Sequence, residues 1–344
     1  MTVTEKRKGA RTPIAIFALI VAAFFVIMLD LSWAPDPLSF RETWDALIGR
    51  GTWGNTIIVR NFNLPRVVMG LIVGAGLAVS GAVMQALFRN PMASPYILGL
   101  SSGASLGAAI AILFTIPFIP VMVVTPVLAF VFCFMTMMIV YSLARVGGKT
   151  QTETLLLAGI AISSFLSALV SFLTAISGEK LEEIVFWSMG SLSRAEPENI
   201  ALILPIVAVG VLIMIVLSKE LNAMMLGDSH AMDLGVDVKK VRLVLLICAT
   251  LVTAAAVSYV GVIGFVGLVI PHITRLIVGP DNRKVIPLSI LGGAIYLVAC
   301  DYIAHMFVMV AGVGVLPIGI ITALIGGPYF IYLLRRRKHQ VGWN

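Results

Sequence analysis

Long apolar runs, separated by short polar segments, dominate the chain. A helix that crosses a lipid bilayer needs about 20 mostly apolar residues. Eight stretches carry no acidic or basic residue, and two of them are too long for one crossing. These stretches are residues 12–29, 67–88, 90–144, 154–178, 199–218, 243–274, 285–300 and 302–334. The pattern predicts a series of membrane-spanning helices.

Proline and glycine divide the longest runs. Pro117 and Pro120 predict a break between helices near residues 95–113 and 118–144. The glycines at 261, 264 and 267 predict that one helix ends near residue 260 and that another begins soon after. The last run divides around Gly312–Gly314, and its first part completes a helix that begins near 286. The prediction is an all-α integral membrane protein with about ten transmembrane helices.

Both ends of the chain are basic, at residues 6–11 and 335–338. An even number of spans places the two termini on the same side, and lysine and arginine favour the cytoplasmic side. When the polar segments between the predicted helices are assigned alternately to the two sides of the membrane, the inside carries net positive charge and the outside net negative charge. We expect both termini in the cytoplasm and a multi-pass protein of the cytoplasmic (inner) cell membrane. Residues 1–344 then form a single transmembrane domain.

The amino-acid composition also indicates an integral membrane protein. Charged residues make up 12% of the chain, hydrophobic residues 59%, and the mean hydropathy is +1.03. Soluble domains carry about 25% charged residues, so a water-soluble enzyme is excluded. Cys133, Cys248 and Cys300 all lie in apolar runs, so we expect neither a disulfide framework nor a metal site.

Glycines recur four residues apart in two of the predicted helices. Gly70 and Gly74 form one such pair, and Gly99, Gly103 and Gly107 form a longer series. Small residues at this spacing let helix backbones approach closely. The series predicts tight helix packing, and the alternative is that the serines beside Gly103 line a path.

The segment RVGGKT (145–150) has the ending of a phosphate-binding loop but not its beginning. The full pattern needs glycine at position 143, where the chain has Leu143. Lys149 is better explained as a cytoplasmic positive charge. The chain also has no HExxH motif. We expect no enzymatic activity, no ATP hydrolysis and no bound cofactor.

The longest polar segment between cytoplasmic helix ends covers residues 218–242. Asp228 and Ser229 are good helix-opening residues after Gly227, and Gly235 is placed to end a helix. A helix of about two turns, Asp228 to Leu234, is predicted.

Apolar residues give this short helix an interaction face. Ala231, Leu234 and Met224–Met225 would form it. The helix either lies on the lipid headgroups or docks a cytoplasmic partner, and docking accounts better for the apolar face.

Five segments, in this order, resemble signatures of the FecCD permeases, the membrane subunits of ABC importers for iron–siderophores, haem and vitamin B12. The resemblance covers nearly the whole chain. The segments are LPRVVMGLIVGAGLAVSGAVMQALFRNPMASPYILGLSSGA (64–104), FWSMGSLS (186–193), LGDSHAMDLGVDV (226–238), GVIGFVGLVIPHITRLIVG (261–279) and LPIGIITALIGGPYFIYLL (316–334).

The resemblance implies a set of partners. A second copy of the permease forms a homodimer around the path, two cytoplasmic ABC ATPases bind below, and a periplasmic or lipid-anchored binding protein delivers the substrate. ATP and magnesium belong to the ATPases. The cytoplasmic loop 219–240 then corresponds to the coupling helix that contacts an ATPase. Its coupling residues are Gly227, Asp228, Ser229, Ala231, Leu234 and Gly235.

The resemblance also points to the translocation path. Path-lining positions in such permeases fall on the fifth helix, which corresponds here to the stretch from Ser163 to Ser177. Ser164, Ser167 and Ser171 are the candidates. The alternative is that these hydroxyls bond back to carbonyls of their own helix.

Docking of the binding protein is expected at the outer surface, where the chain departs from its relatives. A common RLPR motif is NLPR here, so Asn63 replaces one arginine while Arg66 is kept. His305 stands where another arginine is usual, and Val315 replaces a glutamate. The resemblance therefore implies docking with fewer fixed charges.

The substrate does not follow from these residues. By resemblance we expect iron(III)–siderophore import by alternating access, with cobalamin or haem as the alternative. A more distant alternative is a proton-coupled secondary carrier. It would use Asp301 and His305, which lie four residues apart on one helix face; a structural pair near the outer helix end accounts for them better.

Overall fold

Helices account for nearly all of the described chain. The computed structural model describes residues 3–34, 37–114, 117–146, 149–150, 152–311 and 316–341. The α-helices are α1 Val3–Leu31, α2 Phe40–Leu47, α3 Trp53–Ile57, α4 Leu64–Leu87, α5 Leu100–Leu113, α6 Val121–Leu143, α7 Thr152–Ala175, α8 Leu181–Met189, α9 Pro197–Val216, α10 Ser218–Met225, α11 Asp228–Asp233, α12 Val238–Val260, α13 Val266–Val278, α14 Asn282–Ala311 and α15 Ile318–Val341.

Shorter elements connect these helices. A π-helical turn, Ile58–Asn63, leads directly into α4, and 3₁₀ helices cover Pro95–Leu98 and Gly178–Lys180. Strands β1 (Arg145–Val146) and β2 (Lys149–Thr150) form a small antiparallel ribbon in the RVGGKT segment.

Ten of the described helices match the predicted spans. Six are long and apolar enough to cross a membrane, and α1, α5, α13 and α15 contain shorter apolar segments. The predicted breaks are confirmed: α5 ends at Leu113 before α6 begins at Val121, and α12 ends at Val260. The break at Gly312–Gly314 lies outside the described residues, between the end of α14 and the start of α15.

Helix α4 is the centre of the packing. It is buried along most of its length and packs against α12, α13 and α14. It therefore has no broad face for lipid, unlike α7 and α9, whose apolar side chains are largely exposed.

Glycines allow the neighbours of α4 to approach its backbone directly. A Cβ on Gly74 would overlap the carbonyl of Gly293 in α14, and a Cβ on Gly81 would overlap Gly267 in α13. In the same way a Cβ on Gly107 would overlap the Leu128 carbonyl of α6. The predicted tight packing on small residues is confirmed.

We expect Gly81→Ala to destabilise the protein by about 1–3 kcal/mol, because the added methyl must push α13 away from α4. The measurement is thermal unfolding of the detergent-purified protein. Gly327→Ala is the matched control, since a Cβ there meets nothing within 4 Å. Equal unfolding temperatures for the two variants would contradict the packing account.

Candidate functional site

The predicted short cytoplasmic helix is present as α11. It lies between Gly227 and Gly235, whose φ angles of 132° and 82° favour glycine. The prediction of Asp228 to Leu234 is confirmed to within one residue. Asp228 does not cap the helix, however, because its carboxylate is held by two arginines.

These two arginines fix α11 to the transmembrane helices. Arg89, two residues after α4, and Arg242, on α12, each place an Nη2 atom 2.7 Å from a different oxygen of Asp228. Arg89 Nε also donates to the Met224 carbonyl at 3.0 Å. We call this arrangement of Arg89, Asp228 and Arg242 the coupling clamp. It connects α11 with both the central helix and α12.

A second set of polar contacts holds α10 against the start of α14. Asn222 donates to Asp281 at 2.7 Å and accepts from the Asn282 backbone at 2.8 Å. A hydrogen bond from Arg283 is the largest effect lowering the pKa of Asp281, to about 2, and the Asn222 amide lowers it further. Arg275 of α13 donates to the Asn282 side chain at 2.9 Å. The segment before α11 is therefore braced by charges that persist at neutral pH.

The exposed apolar face of this region differs in part from the predicted one. Ala231 and Met224 are buried against the protein, so they anchor the loop and do not form an exposed surface. Leu226, Met232 and Leu234 are 71%, 59% and 68% exposed. Ser229 is also exposed. A coupling role for these residues stays a prediction, with the apolar contact assigned to the exposed three.

At the other end of α4 lies a buried polar cluster. Arg66 Nε and Nη2 donate to the two carboxylate oxygens of Asp301 at 2.6 and 2.8 Å. The Asp301 side chain is 1% exposed. Asn63 is buried and donates to the carbonyls of Leu31 and Trp33 at 2.9 and 2.6 Å. These contacts hold the end of α1 against α4 and α14.

His305 belongs to the same cluster but does not pair with Asp301 as the sequence suggested. Its ring stacks on Trp33, with centroids 4.9 Å apart, and its Nδ1 lies 3.4 Å from Asp30 Oδ1. Asp301 is instead engaged by Arg66. Asn63, Arg66 and His305 all make intramolecular contacts here, so their role in docking a binding protein stays a prediction. Val315 lies outside the described residues.

Four of the recognised sequence segments meet around a non-helical stretch of backbone, Gly261–Phe265. Ser191 N donates to the Val260 carbonyl at 2.7 Å, and Ile318 N donates to the Gly190 carbonyl at 3.0 Å. The Tyr96 hydroxyl donates to the Ile263 carbonyl at 2.9 Å.

This junction lies at membrane depth. Gly267, just after the non-helical stretch, packs on the carbonyl of Leu77, near the middle of α4. Non-helical backbone at such depth is tolerated where protein buries it or where it borders a water-filled space. A cavity of about 150 Å³ adjoins the junction. Its lining residues are Phe186, Trp187, Ser191, Ser193, Arg194, Tyr259, Val260 and Pro317.

The three predicted path serines all lie on α7. Ser164 donates to the Ile160 carbonyl and Ser171 to the Ser167 carbonyl, each at 3.0 Å. The Ser167 hydroxyl lies 3.1 Å from that of Ser102 on α5. Two of the three hydroxyls therefore bond within their own helix, as the alternative predicted. Their role in a path stays a prediction.

Among the six described helices that are long and apolar enough to cross a membrane, α7 is the least buried. Only 11% of its most apolar 18-residue segment is buried. Leu157, Phe165 and Phe172 are among its exposed residues. Lipid or another protein surface must cover this face.

Comparison with known proteins identifies the chain. The model of the FecCD transport family matches residues 19–336. The chain belongs to the FecCD transport family. This family forms permease subunits of ABC importers, so the chain is a multi-pass membrane transport subunit and not an enzyme. The ATPase of such an importer is a separate subunit, and a carrier acting alone is not supported.

Three relatives show the range of substrates named within the family. The cobalamin import permease BtuC of Halobacterium salinarum is 46% identical, covering 82% of this chain and 74% of the relative. The hemin transport permease HmuU of Yersinia pestis is 41% identical, with coverages of 88% and 90%. The Fe(3+) dicitrate permease FecC of Escherichia coli is 34% identical, with coverages of 94% and 98%.

A solved structure shares the fold. It is described as an inward-facing conformation of a metal-chelate type ABC transporter. Its TM-score is 0.81 at 32% identity, and the match covers 94% of this chain and 99% of that one. This structural match therefore supports the same conclusion as the family match: the chain has the fold of a permease from an ABC importer for metal chelates.

Sequence reasoning missed the partners that complete both polar clusters. Arg89 and Arg242 were not singled out, although Arg89 and Asp228 each lie in a recognised motif. Asp30 and Trp33 were also missed. Asp30 is a buried acidic residue at the end of an apolar run, and that pattern is a usable signal for a hidden partner.

We expect Asp301→Leu to destabilise the protein by about 3–5 kcal/mol, because it leaves the Arg66 guanidinium without its carboxylate in a largely buried site. Adding Arg66→Met should restore most of this loss, since no uncompensated charge is then left. The free energy of unfolding of the purified variants is the measurement. A double variant less stable than Asp301→Leu would contradict the pairing.

Proposed function

We propose that the chain is the path-forming permease of an ATP-driven importer of a metal chelate in the cytoplasmic membrane. Two copies form the path, two cytoplasmic ATPases carry ATP and magnesium, and a binding protein delivers the substrate outside. The observation that carries the proposal is α11, which presents exposed apolar side chains while the coupling clamp ties it to α4 and α12.

In this proposal the coupling clamp turns ATPase movement into helix movement. An ATPase surface that binds Leu234 and Met232 displaces α11 when the ATPases close. Asp228 bonds to Arg89, two residues past the end of α4, and to Arg242 on α12, so displacement of α11 is transmitted to the cytoplasmic ends of both helices. Repeated closing and opening would switch the path between outward and inward access.

The path itself is proposed to lie where a second copy faces α7. The exposed apolar face of α7 fits such a neighbour, and Ser167 with Ser102 adds hydroxyls beside it. The non-helical backbone at Gly261–Phe265 also supports a path, since broken helices at membrane depth are a common way to border a substrate route.

For the substrate we propose cobalamin first and haem second. The supporting observation is that the relatives named for these two chelates are 46% and 41% identical, against 34% for the ferric dicitrate permease. A ferric siderophore, the expectation from sequence, is the third candidate. Uptake of labelled cobalamin, haem and ferric siderophore should be compared between the parent strain and a strain that lacks the gene. Loss of iron–siderophore uptake alone would overturn this order.

We expect Leu234→Ser to weaken ATPase association at least tenfold without changing permease stability, because an exposed apolar side chain contributes to binding and not to the core. The measurement is the amount of ATPase that co-purifies with tagged permease in mild detergent.

Phe62→Ser is the matched control, since Phe62 is 66% exposed but lies just before α4, at the end of that helix predicted to face the outside. It should leave ATPase recovery unchanged. Normal ATPase recovery with Leu234→Ser would refute the proposed docking helix. Loss with both variants would show that the effect is not specific to α11.

A further inference from the structure

An apolar groove of about 460 Å³ lies between α9 and α12. It is near the ends of these helices that are predicted to face the cytoplasm. Aliphatic side chains form its walls, and the stem of one lysine completes them. The lining residues are Leu212, Ile213, Val216, Leu217, Lys240, Val241 and Val244.

The groove is exposed to the bilayer. Both helices are long and apolar enough to cross a membrane. Leu212 and Val216 are largely exposed and continue an open apolar stripe on α9 that includes Val209. Lipid chains are therefore the medium in contact with these walls.

Positive charge gathers at the cytoplasmic mouth of the groove. Lys219, Lys239 and Lys240 are all exposed, and in the described part of the chain no carboxylate lies within ion-pair distance of them. Two acidic residues, Glu220 and Asp237, stand nearby in sequence, which leaves a positive excess. Asp237 Oδ1 accepts from the backbone N–H of Lys240, not from its ammonium group.

We propose that one anionic phospholipid binds here, with an acyl chain in the groove and its phosphate on the Lys240 ammonium. Basic pockets between helices on the cytoplasmic side suit acidic headgroups. A lysine can lay its stem along apolar surface while its charge stays at headgroup level. The groove supplies the apolar wall and Lys240 supplies the charge complementarity.

This lipid would brace the start of α12 beside the coupling clamp. Lys240 lies two residues before Arg242, which holds Asp228 at 2.7 Å. A phospholipid that bridges α9 and α12 restrains the same turn of helix from the opposite side. The lipid site thus lies on α12, the helix that carries Arg242 of the coupling clamp. The proposal requires only that the chain spans the membrane.

The test is native mass spectrometry of the detergent-purified permease with added phosphatidylglycerol or phosphatidylcholine. Phosphatidylglycerol should bind at least fivefold more tightly. Lys240→Gln should lower its affinity about fivefold, the effect of one lysine near an acidic headgroup. Lys239→Gln is the matched control: it removes the same charge one residue away, outside the groove lining, and should have a smaller effect.

A second pair of variants tests the acyl-chain contact. Val216→Trp fills the groove and should reduce retention of either phospholipid, whereas Leu202→Trp on the same helix, outside the groove, should not. Equal affinity for the two phospholipids, equal losses with Lys239→Gln and Lys240→Gln, or unchanged retention with Val216→Trp would each overturn the proposal.

Discussion

The close packing of α4 against α13 and α14 is the constraint on which the rest of the structure depends. Glycine pairs bring the backbones together, at Gly74 with Gly293 and at Gly81 with Gly267. In lipid, where apolar side chains gain little by leaving their solvent, such contact is a main source of helix association. At about 1.5 Å per residue, the 24 residues of α4 are long enough to cross the bilayer.

This buried helix connects the two polar clusters. Arg66, near its start, holds Asp301, and Arg89, just past its end, holds Asp228. Buried and partly buried ion pairs contribute less to net stability than to a defined geometry, because desolvation offsets much of their attraction. Their main effect here is on geometry. On the cytoplasmic side α11 is bound to the end of α4, and on the other side of the membrane the start of α4 is bound to α14. That continuity suits a permease driven by a separate ATPase.

The helices could be predicted from the sequence, and the contacts between them could not. In lipid the backbone of an apolar run of about 20 residues must satisfy its own hydrogen bonds, which it does as an α-helix. Helix limits such as Val260 and Leu113 therefore follow from the local sequence pattern. Arg66 and Asp301 are 235 residues apart, and Arg89 and Asp228 are 139 apart. No spacing rule links residues at such separations. The short helix α11 was predicted from its flanking glycines, but its exposed face was partly wrong because burial of Ala231 depends on tertiary packing.

The central claim is that the coupling clamp transmits ATPase movement to the transmembrane helices. The most direct measurement is the number of substrate molecules imported per ATP hydrolysed by the assembled transporter in proteoliposomes, for the parent protein and for Asp228→Asn. The substitution keeps the size of the side chain and removes the charge that holds Arg89 and Arg242. The account predicts a transporter that still binds its ATPases and hydrolyses ATP but imports less substrate per ATP. An unchanged ratio would contradict it.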